Sequence, residues 1–235
     1  MLVTLFLTTE CIGRIEHMEL FLNSAYIKPL PFLLEGLVYT ILITFVGLLF
    51  GFIIGAFIGL GRLSKSKFIY GLSSIYVEII RGTPLLAQIL FIYFGLSQLT
   101  GINMDKLVAA ILAIALNAGA YIAEIVRGAV HSVDKGQMEA GRSIGLTKAQ
   151  TMRYIIWPQA FKRMIPPLGN QFVISLKDTS LFSAIAVGEI VYQAKNYYAT
   201  TWTAFETLTM VCVLYLIITI PTSIYLRRVE RRLDV

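Results

Sequence analysis

The fold class this sequence predicts is an all-α integral membrane protein with five spans, and three observations predict it. The chain is 57% apolar and only 14% charged, which places it in the polytopic membrane class and excludes a soluble domain. Its apolar runs reach the ~20 residues that a helix needs to cross hydrocarbon. Basic residues gather beside the ends of those runs instead of scattering over a surface.

Residues 1–28 read as an extracytoplasmic or interfacial segment, 29–228 as one transmembrane domain and 229–235 as a cytoplasmic tail. Leu2 to Leu7 is too short for a signal-peptide core, and no Arg or Lys precedes it, so Met18 is an alternative start. Cys11 and Cys212 suggest neither a disulfide nor a metal site.

The first span, Leu33 to Leu60, carries Gly47, Gly51, Gly55 and Gly59 at intervals of four, on one helical face. Lipid offers no hydrophobic drive between helices, so a glycine strip predicts a seam where another backbone approaches closely. A shorter span, Pro84 to Leu99, is expected to borrow length from the apolar stretch Phe68 to Ile80. Pro84, at the end of Arg81-Gly82-Thr83-Pro84, suits the first turn of a helix.

The third span, Leu107 to Val126, places Asn117 and Tyr121 near the midplane, one turn apart. Either they face a pathway or Asn117 serves as an interhelical hydrogen-bonding residue. Glu124 lies close to the exit, one turn from Arg127, and is expected to be a paired structural acid.

Between spans lies a basic insert, about residues 128–163, predicted as two short helices. Asp134 caps the first and Gly145 stops it. Thr147 with Gln150 forms a capping-box pattern for the second.

The fourth span, Leu168 to Val191, contains Gln171 and then Lys177-Asp178-Thr179-Ser180. Asp178 falls roughly 18 Å along a helix from Pro166. A charge at that depth costs several kcal/mol, on the order of 3 on lenient scales, so intramembrane ionisable residues are functional candidates. The alternative is a buried network joining helices. Glu189 is expected to be a solvated acid near the interface, beside the aromatic belt Tyr192, Tyr197, Tyr198 and Trp202. Phe205 to Leu226 forms the last span.

The Lys/Arg distribution puts the N-terminus outside and the C-terminus in the cytoplasm. Seven basic residues lie between Arg127 and Arg163, whereas only Arg14, Lys28, Lys106 and Lys195 fall on the outer side. The net charge of +6 is therefore topological, and nucleic acid is not an expected partner. His17 and His131 stand without partners at ligand spacing, so no metal is expected. No phosphate loop ending in Lys-Ser or Lys-Thr occurs, so the chain is not expected to bind ATP by such a site.

Glu139, Ala140 and Gly141, then Gly145, then Ile155, Trp157 and Pro158 stand at the spacing of the glutamate-Ala-Ala signature. This resembles the cytoplasmic coupling loop of ABC importer permeases, with Gly141 in place of the second alanine and Trp157 in place of a leucine. Arg81 to Pro84 resembles the "RGTP" block, and Leu176 to Leu181 the "LKDTSL" block, of permeases for polar amino acids of the histidine/glutamine/arginine type.

The resemblance implies a type I importer permease in a bacterial cytoplasmic membrane, itself not an enzyme and holding no cofactor. It implies two cytosolic ATPase subunits carrying ATP and Mg, docked on Asp134, Glu139, Ala140, Gly141, Gly145 and Pro158. A second permease subunit, the same chain or a paralogue, and an extracytoplasmic amino-acid-binding protein complete the assembly. Asn117, Tyr121, Gln171, Lys177, Asp178, Thr179 and Ser180 are the candidate pathway residues. An acid beside hydroxyls tips the expected substrate towards arginine, lysine or histidine, while Lys177 pulls towards glutamine or glutamate. A gradient-driven transporter is the reading from another class; it leaves the basic insert unexplained.

Overall fold

The computed structural model describes residues 25–233, and every element among them is helical. Residues 1–24 of the N-terminal segment, with Cys11, Arg14, His17 and Met18, lie outside the described residues.

Helix α1 (Leu30–Gly61) opens with proline in its first turn and buries Leu33, Gly36, Thr40, Ile43, Thr44 and then Gly47, Gly51, Gly55 and Gly59. Its partner is α4 (Lys106–Ser132), which starts where the Asp105 side chain accepts the N–H groups of Leu107 and Val108. The glycines face Ile114, Ala118, Ile122 and Val126 in turn. Both series advance together, so α1 and α4 run parallel and the glycine strip forms the expected seam. Its glycines cost helix propensity and gain backbone contact in return.

Helix α2 (Lys67–Arg81) reaches span length and apolarity only together with the segment that follows, as the sequence suggested, but not in line with it. The chain turns by 102° into α3 (Leu85–Thr100). The reason is local: Gly82 and Pro84 interrupt the ladder, and Pro84 sits at φ −64° and ψ 136°. A residue before proline is also driven from the α region.

After α4 comes a knob of two helices, α5 (Lys135–Ser143) and α6 (Lys148–Thr151). The second helix runs toward Trp157 and does not end within the insert. It passes through a wide π turn at Met152–Ile156 into α7 (Trp157–Asp178). Proline at 158 lacks an N–H and crowds the carbonyl four residues back; the wide turn beside it relieves that clash while keeping the helix continuous.

The fourth span also differs from expectation, because α7 ends at Asp178. The Thr179 hydroxyl donates to the Leu176 carbonyl at 2.7 Å and the Ser180 hydroxyl to the Lys177 carbonyl at 2.8 Å. The chain tightens into a 3-10 segment over Thr179–Ile185, and Ala186 then takes φ 57°. Helix α8 (Ile190–Thr201) follows, and α9 (Ala204–Leu233) contains the last span and most of the expected tail.

Three helices, Ala25–Gly61, Lys106–Ser132 and Ala204–Leu233, are long and apolar enough to cross a membrane, and the bent pair adds a fourth candidate. Helix α7, which ends at Asp178, is not among them. One apolar core joins α1, α3, α4 and the 3-10 segment through Ile43, Ile89, Ala110, Ile114 and Phe182. A second, nearer the knob, joins α4 to α7 through Ile122, Val126, Val130, Ala160 and Met164.

Candidate coupling knob and pathway

The knob is built by its caps. Asp134 Oδ1 accepts the Gly136 N–H at 2.6 Å. Gly145 takes φ 88° where the chain reverses. Thr147 and Gln150 then bond reciprocally, with the Thr147 N–H donating to Gln150 Oε1 at 2.8 Å. Glu139 and Ala140 are exposed on α5, whereas Gly141 is buried against α6. A Cβ on Gly141 would lie 2.5 Å from Thr151 Cγ2, so glycine here accommodates the neighbouring threonine.

Ile144, 76% exposed beside the turn, is an apolar residue that the sequence reading did not single out. It lies beside the Gly145 turn, where periodicity carries no signal. Arg163 of α7 donates to the Ser132 carbonyl and, at 3.1 Å, to its hydroxyl, tying the knob's two roots together. Gln159 adds a 3.3 Å bond to Gln137.

A second polar group lies deeper, where the α2–α3 elbow meets α4. Gln88 Nε2 reaches back across the elbow to the Ile80 carbonyl at 2.7 Å and to Thr83 Oγ1 at 2.9 Å, while its Oε1 accepts from buried Asn117 at 3.2 Å. Gln88 is thus a hub that sequence reasoning missed. The signal was one amide four residues after Pro84, inside an otherwise apolar run. Tyr121, one turn below Asn117, lies under the Arg81 guanidinium at 5.2 Å from the ring centre.

Glu124 is paired, as expected, with three arginines. It bonds Arg127 at 3.0 and 3.1 Å, contacts Arg62, and meets Arg81 at 3.5 Å.

The remaining candidates fall elsewhere. Gln88, with Ile79, Thr83, Phe91 and Leu116, lines a cavity of about 420 Å³. Gln171 lines another of about 280 Å³ with Phe45, Ile122 and Phe172, and its amide donates to Ser175 at 3.2 Å. Lys177 is exposed and Asp178 half-buried at the end of α7, and the two form no ion pair among the described residues. Thr179 is buried and spends its hydroxyl on the backbone. One chain therefore brings Asn117 and Tyr121 to the elbow, but does not gather Gln171, Lys177 and Asp178 around them.

Glu189 corrects a sequence expectation. It is fully buried, not solvated. Its carboxylate accepts the N–H groups of Val191 at 2.8 Å and Tyr192 at 2.7 Å, capping α8. Gly36 allows the approach: a Cβ there would lie 2.8 Å from the Glu189–Ile190 backbone.

Residues 47–235 match the family described as the binding-protein-dependent transport system inner membrane component. The glutamine transport system permease protein GlnP of Escherichia coli (strain K12) is 44% identical over 213 residues, covering 90% of this chain and 97% of that protein. The arginine transport system permease protein ArtQ of Bacillus subtilis (strain 168) is 33% identical over 210 residues, covering 89% and 96%. A crystal structure of an amino acid ABC transporter with histidines contains a chain of 41% identity and TM-score 0.85, covering 88% of this chain and 96% of that one.

Proposed function

The chain belongs to the family of binding-protein-dependent transport system inner membrane components, and on that premise we propose that it is the permease subunit of an ATP-driven amino-acid importer, with glutamine as first candidate. The observation that carries this reading is the 44% identity to the glutamine permease along 90% of the chain, knob included. The arginine permease stands further off at 33%, so the preference for a basic amino acid drawn from Asp178 gives way to the glutamine alternative. The exposed Lys177 beside half-buried Asp178 accords with a substrate that carries both charges.

Two cytosolic ATPases dock on the knobs, presenting Glu139, Ala140 and Ile144 to a groove, and hold the ATP and Mg. A second permease subunit supplies the other wall of the pathway, completing what one chain leaves scattered between Asn117 and Asp178. A binding protein delivers the amino acid on the far side. The N-terminus faces outward and the C-terminus the cytoplasm, following the basic residues around the knob and at Arg227 to Arg232. ATP binding draws the ATPases together, and the knobs convert that motion into alternating access.

The test is ATPase activity of the chain co-expressed with its cognate ATPase, reconstituted with a binding protein and single amino acids. Glutamine stimulation that is lost in Glu139→Ala, and transport lost in Asp178→Ala, supports the reading. Stimulation by arginine alone transfers the assignment to a basic amino acid, and no ATPase association sinks it.

A further inference from the structure

We infer that Arg81 is a positioning residue: its contact with Glu124 pins the hinge between α2 and α3, and release of that pin lets α3 swing during transport. The inference rests on the importer reading and adds a part to it.

The two arms of the elbow are each packed. Helix α2 buries Ser73 and Val77, and α3 places Ile89 and Ile92 in the core. The turn between them is held by polar contacts: the Gly82 N–H on the Glu78 carbonyl at 2.8 Å, the Gln88 staple to Ile80 and Thr83, the Asn117 amide on Gln88 Oε1 at 3.2 Å, and Arg81. The first two lie within the elbow, and the Asn117 bond crosses to α4. Arg81 contacts α4 directly, through Glu124 and through the ring of Tyr121.

The three arginines on Glu124 are not equivalent. Arg127 sits one turn along the same helix and moves with it. Arg62 ends α1, which interdigitates with α4 along the glycine seam, and its side chain is 8% exposed. These two belong to one rigid body. Arg81 makes the longest of the contacts to Glu124, at 3.5 Å, and its side chain is 40% exposed. Long, solvated ion pairs contribute little and break easily, so Arg81 is the member that can let go. Letting go also relieves repulsion, since Glu124 and the more distant Glu78 oppose three guanidiniums.

The placement gives the pin its use. Helix α4 runs without a break from Asn117 through Glu124 to Ser132, where Arg163 ties it to the root of α7 and the knob begins. From Glu124 to Ser132 is about 12 Å along the helix. A push on the knob therefore reaches Glu124 before it reaches Gln88 and the cavity that α3 lines.

The test uses nitroxide labels at Leu86→Cys on α3 and His131→Cys at the end of α4, with Cys11 and Cys212 replaced by serine, in lipid nanodiscs. In the chain alone, Arg81→Gln should broaden or shift a narrow distance distribution, and Arg81→Lys should restore it. In the assembled importer, Arg81→Gln should raise ATP hydrolysis without substrate by about fivefold or more, a modest coupling energy, and lower transport per ATP, again with rescue by lysine. Unchanged distances together with an unchanged ratio of transport to hydrolysis overturn the inference. A wild-type assembly that ignores every amino acid overturns the importer reading instead, and the distances in the chain alone then decide the pin separately.

Discussion

Gly55 of α1 faces Ile122 of α4 so closely that a Cβ added at residue 55 would lie 2.6 Å from Ile122 Cβ and 2.8 Å from the Gly119 carbonyl oxygen. The neighbours are a β-branched side chain, stiff about χ1, and a backbone atom, so neither can yield without moving a helix. Gly55→Ala should destabilise the fold by about 1–3 kcal/mol, the usual cost of overpacking. Gly71, in the interior of α2, has nothing within 4 Å of an added Cβ. Gly71→Ala should gain about 0.5–1 kcal/mol from helix propensity. Thermal unfolding in detergent reads both; a loss at residue 71 equal to that at 55 would refute the seam as the cause.

A second close approach sets the shape of the knob. Gly141→Ala, which brings this chain nearer to the signature it resembles, puts a Cβ 2.5 Å from Thr151 Cγ2 and 3.1 Å from Ile155 Cδ1. We expect the single variant to lose ATPase association, and Gly141→Ala with Thr151→Ala to recover much of it. Contacting residues couple by roughly 0.5–3 kcal/mol, which a pull-down titration resolves. Additive losses in the double variant would show that residue 141 does not act through Thr151.

The hub at Gln88 predicts an asymmetry. Gln88→Leu leaves the buried Asn117 amide without its acceptor, and an unsatisfied buried polar group costs about 1–3 kcal/mol. Gln88→Leu with Asn117→Leu removes both partners, and should be closer to wild type in melting temperature than Gln88→Leu alone. Equal melting temperatures would mean that the staple to Ile80 and Thr83, lost in both variants, carries the effect, and not the bridge to α4.

What the sequence made legible were features whose causes are local. The caps at Asp134 and Thr147, the reversal at Gly145 and the pairing of Glu124 with Arg127 depend on residues within four positions of each other. The glycine seam was legible because a strict interval of four has few other uses. The end of α7 at Asp178 was not: the apolar run from Leu181 to Val187 continues across it, and hydroxyls that bond back to the preceding turn occur inside unbroken helices too, as at Thr44 on Thr40. The elbow was half legible, since Gly82 and Pro84 mark a break but say nothing of its angle. Glu189 was misread because a lone carboxylate near a span's end is ordinarily solvated, and only the fold brings Gly36 against it.

Glu189 supplies the last prediction. Its carboxylate satisfies two N–H groups at the start of α8, and the side chain itself is fully buried. Glu189→Leu orphans both donors, each worth about 1–3 kcal/mol, and should lower the melting temperature sharply or prevent membrane accumulation. Glu189→Gln keeps one acceptor oxygen of nearly the same shape, so its loss should be the smaller of the two. If glutamine proves as damaging as leucine, the charge itself is required, and the partner for that charge must be sought at Lys195, which in this conformation donates to Ser183 at 3.1 Å. If both variants melt like wild type, the cap contributes nothing, and the close packing of Gly36 against residues 189 and 190 holds α8 in place without it.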